Sequence, residues 1–249
     1  MSQIPKSHPR YQSLMTRETI SKAMKQGIVH ETGLIAHGRG EAFDYLLGET
    51  TIPQADAAEK VAAAALLCAK NPVISINGNV AALVSDECIS LSESIPAALE
   101  INLFHRTSAR VRKIATFFHN KDIKTLYGIH PDARIPGLDS DRALCEQKGI
   151  FTADVVLVPL EDGDRCQALV GMGKTVIAID LNPLSRTAQS ATITIVDNVI
   201  RAIPQIERWV HKLKKTKQSE QERLIRSWEN SKNLENIMCF LSKRLNSLC

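Results

Sequence analysis

Six short runs of β-branched and aliphatic residues punctuate the middle of the chain: Val73–Ile76, Glu100–Phe104, Thr125–Ile129, Asp154–Val158, Thr175–Asp180 and Thr192–Asp197. Each has the length of a buried strand. Most are apolar throughout rather than alternating, the pattern of strands covered on both faces. Helical patterns lie between most of them. Ala109–Phe118 places Val111, Ile114, Ala115 and Phe118 on one helical stripe. Gln167–Met172 is shorter. Asn198–Lys217 is longer, with Ile203, Ile206, Val210 and Leu213 on one face and Pro204 near its start as a kink or restart. Strands that alternate with helices need crossover connections. The expected fold is therefore α/β: a Rossmann-like, mostly parallel sheet with helices on both faces.

Further helices flank this core. Ser13–Gln26 is stopped by Gly27, Glu41–Leu47 ends at Gly48, and Pro53–Lys70 is rich in alanine, the best helix former. Leu224, Trp228, Leu234, Ile237, Leu241, Leu245 and Leu248 give Glu220–Leu248 a helical spacing, broken into two helices at Asn230–Asn233. The expected organisation is an N-terminal helical segment with a Gly-Arg-Gly loop over 1–70, the α/β core over 71–217, and a C-terminal helical tail over 218–249. All three form one compact unit.

Composition narrows the function. With 44% hydrophobic and 23% charged residues, the chain is neither disordered nor collagen-like. The net charge of +4 comes from residues 201–249, which hold 11 Lys/Arg against 5 Asp/Glu. The aromatic interleaving of a nucleic-acid platform is missing there, so the tail reads as a solvated helix face and no nucleic-acid partner is expected. The longest apolar run, Val61–Ala69, falls far short of the ~20 residues that span a bilayer. Met1-Ser-Gln-Ile-Pro-Lys lacks a charged-then-apolar leader. Cys68, Cys88, Cys145, Cys166, Cys239 and Cys249 form no CxxC pair. These features fit a cytoplasmic protein without a membrane partner. The seven histidines show no i, i+3 or i+4 ligand pair, so no protein-held metal is expected.

In an open parallel sheet, ligands bind outside the carboxyl ends of the strands. Those ends carry Asn77-Gly78-Asn79, His105-Arg106-Thr107, His130 to Asp139, Glu161-Asp162-Gly163-Asp164-Arg165, Asp180 to Thr187, and Asp197-Asn198. Six polar ends in succession describe a wide polar crevice. Asp180-Leu181-Asn182 followed by Arg186-Thr187 points to a nucleotide. A carboxylate there meets ribose hydroxyls or hydrated Mg²⁺, and an arginine forks onto phosphate. His37-Gly38-Arg39-Gly40-Glu41 reads as a loop whose glycines let backbone N–H groups approach an anion. Neither a GxGxxG fingerprint nor a Walker A loop occurs, and Gly171-Met172-Gly173-Lys174 precedes a strand rather than a helix. No GxSxG elbow occurs either.

Several blocks together carry a family resemblance. They are Ile4–Tyr11 with Arg17, Gly33–Leu46, Pro72–Asn79, Arg134–Gly137, Ala153–Arg165, Ile177–Thr187 and Thr194–Asn198. The chain resembles the archaeal 4-phosphopantoate–β-alanine ligases, also called archaeal phosphopantothenate synthetases. It departs from their pattern in its cysteines and tail. The resemblance implies a homodimeric enzyme with a Rossmann-like fold that joins 4-phosphopantoate to β-alanine. ATP would be consumed to AMP and pyrophosphate, with Mg²⁺ on the nucleotide, in coenzyme A biosynthesis. The family's ATP-contacting positions fall on Arg17, Arg39, Asp180, Leu181, Asn182, Arg186, Thr187, Asn198 and Val199.

A carboxylate does not react with an amine unaided, so the expected route is an acyl adenylate. Arg39 and Arg186 are expected on the triphosphate, Arg17 to reach in from the N-terminal helix, and Asp180 and Asn182 to fix ribose or adenine. Asn198 and Val199 would supply backbone groups. Glu161, Asp162, Asp164 and His37 are candidate bases for the amine. Arg106, Arg134 and Arg165 are unranked candidates for the phosphate of phosphopantoate. The alternatives are a nicotinamide-dependent oxidoreductase, which would need a glycine-rich first βα turn, or a nucleotide sensor.

Overall fold

The computed structural model describes residues 4–121, 123 and 125–247. Met1, Ser2 and Gln3, and the tail positions Leu248 and Cys249, lie outside them. Three helices come first: α1 (Tyr11–Lys25), α2 (Glu31–Leu47) and α3 (Pro53–Cys68). Then follow β1 (Pro72–Ile76), α4 (Gly78–Leu83), α5 (Ser85–Ser94), β2 (Ala98–Ile101), α6 (Ser108–His119), β3 (Leu126–Tyr127), β4 (Ala133–Arg134) and β5 (Leu144–Cys145). The second half runs β6 (Val155–Pro159), α7 (Gly163–Gly171), β7 (Thr175–Ile179), α8 (Arg186–Ser190), β8 (Ile193–Ile195), α9 (Val199–Leu213), α10 (Gln218–Arg226) and α11 (Asn230–Asn246).

Six strands form one sheet in the order β3-β2-β1-β6-β7-β8. Every neighbouring pair is parallel, with Val73 opposite both Ala98 and Val156. The chain builds outward from β1 through β2 to β3, then returns to lay β6 on the other side of β1. The β1/β6 boundary is thus the switch point where a crevice opens above the sheet. Successive strand residues face opposite sides. Ile74, Ile76, Leu157, Ile177 and Ile179 join the core beneath α3 and α9. Val73, Val156, Val158, Val176 and Ala178 pack with Leu169 of α7 and Cys145 of β5. All six strands contain or overlap their expected runs. The two helix-covered faces explain their apolar sequences.

Several expectations are corrected. His37–Glu41 is not a loop: α2 runs unbroken through Gly38 and Gly40. Of the glycines on this helix, Gly33 serves close approach, whereas Gly40 has room for a side-chain carbon. A Cβ on Gly33 would stand 2.5 Å from the Asn79 side chain, and one on Gly40 would stand 3.5 Å from Leu181. Pro204 neither breaks nor restarts α9. α7 begins at Gly163, because Asp162 caps it by accepting from the Arg165 N–H. The tail breaks before Asn230, which opens α11. α4, α5, α8 and the antiparallel β4/β5 pair were not expected. Asn77, expected as a polar strand end, is the N-cap of α4.

The tail is no appendage. Leu234, Ile237 and Leu241 of α11 are buried with Leu47, Ile52, Leu181, Ala188 and Val196. α11 therefore supports the end of α2 and the loop after β7. Among the described residues, no helix is long and apolar enough to cross a membrane.

Candidate active site

A cleft of about 370 Å³ opens at the switch point. Its α2 wall supplies Thr32, Gly33, Ala36 and Arg39, with His30 before the helix. The sheet rim supplies Asn77 and Asn79 after β1, Phe104 and His105 after β2, and Leu160, Glu161 and Asp162 after β6. Arg110 of α6 and Arg142 complete the lining. The single glycine of the first βα turn, Gly78, lies against the Ile28 carbonyl, with 2.6 Å left for a Cβ. That turn packs on the chain and is not a glycine-rich dinucleotide cradle.

The floor is ionic. Glu161, with its side chain 2% exposed, pairs with both Arg142 and Arg165. Arg142 also donates from Nε to Asp162 Oδ2 (3.0 Å) and from Nη1 to the Asn102 carbonyl (3.1 Å). Burial, then the neighbouring Arg165 charge, lowers the Arg142 pKa, while Asp162 opposes the shift. Arg165 is wholly buried and does not line the cleft. Of the two acidic candidates here, Glu161 is committed to two guanidinium groups, whereas Asp162 meets one, that of Arg142, and keeps its side chain 31% exposed. Asp164 is exposed and bound to Arg186 (2.6 Å).

The walls differ. Arg110 donates to two backbone carbonyls, those of His105 and Ile28, and to no carboxylate among the described residues. Its pKa is lowered by burial. Arg39 makes no hydrogen bond or ion pair among the described residues; its charge is felt by Asp180, whose own pKa burial pushes up. His30 stacks on His105 with ring centres 4.0 Å apart. Burial, followed by the charges of His105 and Arg110, holds His30 below the usual histidine range.

The loop after β7 is self-braced. Asp180 accepts from Asn182 N (2.9 Å) and Ser185 Oγ (2.5 Å), and Ser185 caps α8. Leu181 is buried. Thr187 Oγ1 donates to the Glu161 carbonyl at 3.0 Å, tying this loop to the cleft floor. The Arg186–Asp164 pair makes a second tie outside it. Asn198 caps α9, and Val199 is buried behind it.

A second pocket of about 180 Å³ lies across α2 from Arg39 and includes Ser13, His37, Glu41, Asp44, Asn198 and Arg201. His37 belongs to this pocket. Its Nε2 is buried without a hydrogen-bond partner among the described residues, and burial lowers its pKa. Arg17 sits on the same side, donating from Nε to both Glu41 oxygens (3.0 Å each) and from Nη2 to Tyr45 (2.9 Å).

The structure thus gathers Arg39, Glu161 and Asp162 in one cleft, and Arg17, His37 and Asn198 around the neighbouring pocket. Arg134 instead closes its own turn, donating to the carbonyls of Leu138 and Asp139 at 3.0 Å each. Arg106 donates to the Gly128 carbonyl at 2.7 Å. Sequence reasoning missed His30, Arg110 and Arg142. Arg110 lies three residues beyond the expected strand-end motif. Arg142 sits in a single 3₁₀ turn that no periodicity marks.

A family model described as phosphopantothenate/pantothenate synthetase matches residues 54–244, most of the chain. The chain belongs to the phosphopantothenate/pantothenate synthetase family. Relatives in this family match over the whole length. A protein of Thermococcus onnurineus is 53% identical over 249 residues, covering 100% of this chain and 95% of its own. One from Thermococcus kodakarensis is 51% identical with the same coverage. One from Methanosarcina mazei is 49% identical over 248 residues, 98% of its length. All three are named 4-phosphopantoate–beta-alanine ligase. The family match reaches residue 244, within α11, so the tail expected to depart from the family's pattern is part of the shared chain. Among the described residues, no group of three or more His, Cys, Asp or Glu is placed to hold a metal ion.

Proposed function

We propose that this chain joins 4-phosphopantoate to β-alanine, consuming ATP to AMP and pyrophosphate, in coenzyme A biosynthesis. One observation supports this most directly. Arg39, a cation with no partner of its own among the described residues, stands in the cleft beside the Asp180 loop. In an α/β protein an unpaired guanidinium at the switch point suits a polyanionic substrate.

The chemistry sets the roles. The pantoate carboxylate attacks the α-phosphorus of ATP, and pyrophosphate leaves. The β-alanine amine then attacks the acyl adenylate, and AMP leaves. Negative charge grows on phosphate oxygens in the first step, so positioned cations lower the barrier. Arg39 is assigned to the triphosphate, whereas Arg186 and Arg17, paired with Asp164 and Glu41, hold the elements around it. Asp180, Leu181 and Asn182 take the ribose side, Thr187 holds its loop, and Asn198 and Val199 border the base. Mg²⁺ would arrive on the triphosphate's own oxygens. Arg110 replaces Arg106, Arg134 and Arg165 as the preferred partner of the pantoate phosphate, because no carboxylate among the described residues pairs with it.

The amine must be neutral to attack. Asp162, partly exposed at the cleft floor beside Arg142, and His30, held below the usual histidine range, are the preferred acceptors over Glu161, which two guanidinium groups engage, and the displaced His37. Segments 1–70, 71–217 and 218–249 act as one unit, since both cleft walls and their support draw on all three. A homodimer is the working form, a reading supported by Ile35 and Leu46, which α2 leaves exposed. A cytoplasmic setting is supported by the free thiols of Cys88, Cys145 and Cys166.

The test is product formation. AMP and pyrophosphate should appear in equal amounts only when ATP, Mg²⁺, 4-phosphopantoate and β-alanine are all present. ADP and phosphate as products, or turnover without phosphopantoate, would refute the reading.

A further inference from the structure

A buried ionic bridge joins α2 to the start of α9, and the proposed chemistry makes no use of it. Asp44 is 4% exposed and Asp197 is 1% exposed. Arg201 spans them. It donates to Asp44 Oδ1 at 2.6 Å and Oδ2 at 3.2 Å, and from Nε to Asp197 Oδ1 at 2.8 Å. Asn198 is drawn into the same network. Its Nδ2 donates to Asp44 Oδ2 at 2.9 Å, and its N–H to Asp197 Oδ1 at 2.7 Å. Thr51 Oγ1 closes the far side on Asp197 Oδ2 at 2.5 Å.

This bridge is poorly explained as a stabilising device. Buried ion pairs are often no better for stability than apolar residues of the same size, and their best-attested use is to fix one arrangement. Here the arrangement is specific. Asp44 lies on the helix that carries Arg39, and Asn198 heads the α9 turn assigned to the base. Asp44, Asn198 and Arg201 all line the pocket of about 180 Å³ between those elements. The forked contact of one guanidinium with both Asp44 oxygens fixes angle as well as distance. Both ends of the Asn198 amide are already occupied, because Oδ1 accepts from the Ile200 N–H. The turn therefore presents its main chain at a place decided by Asp44.

We propose that Asp44 and Arg201 are positioning residues for the nucleotide: their bridge sets the separation between the Arg39-bearing helix and the Asn198–Val199 turn. The proposal rests on the ATP-dependent reading given above. Neither residue touches the reacting atoms, so its signature is selectivity among substrates.

The experiment is steady-state kinetics on Asp44→Asn, Asp44→Glu and Arg201→Lys beside the parent, varying each substrate in turn. Thermal melts with and without ATP accompany it. Asp44→Asn and Arg201→Lys are expected to raise the KM for ATP at least tenfold, with the KM for β-alanine within twofold of the parent. The ATP-induced rise in melting temperature should shrink in step, and Asp44→Glu should recover part of both. A KM for ATP within twofold of the parent, or an equal rise in every KM, would overturn the proposal. So would failure of all three variants to fold, which would make the bridge purely structural. A parent that releases no AMP removes the ligase reading itself, and with it the proposal. That outcome appears before any variant is made.

Discussion

Arg142 and Arg165 share one carboxylate, Glu161, at the cleft floor, whereas Arg39 and Arg110 stand on its walls with none among the described residues. All four are arginines at the carboxyl end of one sheet, yet their surroundings divide them. Where the chain supplies its own anion, the guanidinium belongs to the scaffold. Where it does not, the charge is available to a substrate. A residue type at a strand end therefore says little until its counter-charge is known.

The largest effect should come from the floor. Glu161→Gln leaves two buried guanidinium groups underpaired, and removing one partner of a buried pair costs about 3–5 kcal/mol. The melting temperature should fall by roughly 10 °C for a chain of this size, measured by calorimetry. A midpoint close to that of the parent would erase the distinction between floor and walls. Arg39→Ala should do the reverse. Turnover should drop by about 10²-fold, the scale for losing one transition-state donor, with the melting midpoint held. Arg110→Ala should raise the KM for 4-phosphopantoate by about tenfold, or 1.4 kcal/mol, while the KM for ATP stays near the parental value.

A smaller, pH-dependent effect probes a third kind of site, a buried carboxyl that no cation pairs with directly among the described residues. Glu59 is fully buried, and neither of its oxygens has a hydrogen-bond partner among the described residues. Burial, then the charges of Asp197 and Asp56, push its pKa up from 4.5 to about 9. The folded chain keeps this proton over a range where the unfolded chain releases it. Stability is therefore lost as pH rises from about 4.5 towards 9. Glu59→Gln should remove that slope, bringing the melting temperatures at pH 5 and pH 8 closer together. An unchanged gap between the two would show that Glu59 ionises normally.

Much of this was legible in the sequence. The strands were, because burial on both faces leaves continuous aliphatic runs that few other structures produce. The strand-end rule brought Asn77, Glu161, Asp162 and Asp180 to the rim. It failed where the fold overrode local preference. Gly38 and Gly40 argue for a loop, since each glycine in a helix interior costs about 1 kcal/mol. Yet α2 passes through both, although nothing stands within 4 Å of where a Cβ on Gly38 would be and Gly40 meets only Leu181 at van der Waals distance. The wall residues His30 and Arg110 escaped because they come from elements beside the sheet rather than from its strand ends. Which arginines were paired was not legible at all, because Arg142 and Glu161 meet only through the tertiary fold.

One set of melts tests the central claim most directly: parent, Arg39→Ala and Glu161→Gln, each with and without saturating ATP. Arg39→Ala should melt with the parent when alone and lose most of the ATP-induced rise. Glu161→Gln should melt early when alone and keep that rise. The opposite pattern, an unstable Arg39→Ala that still responds fully to ATP, would contradict the division of the site into scaffold and substrate charges.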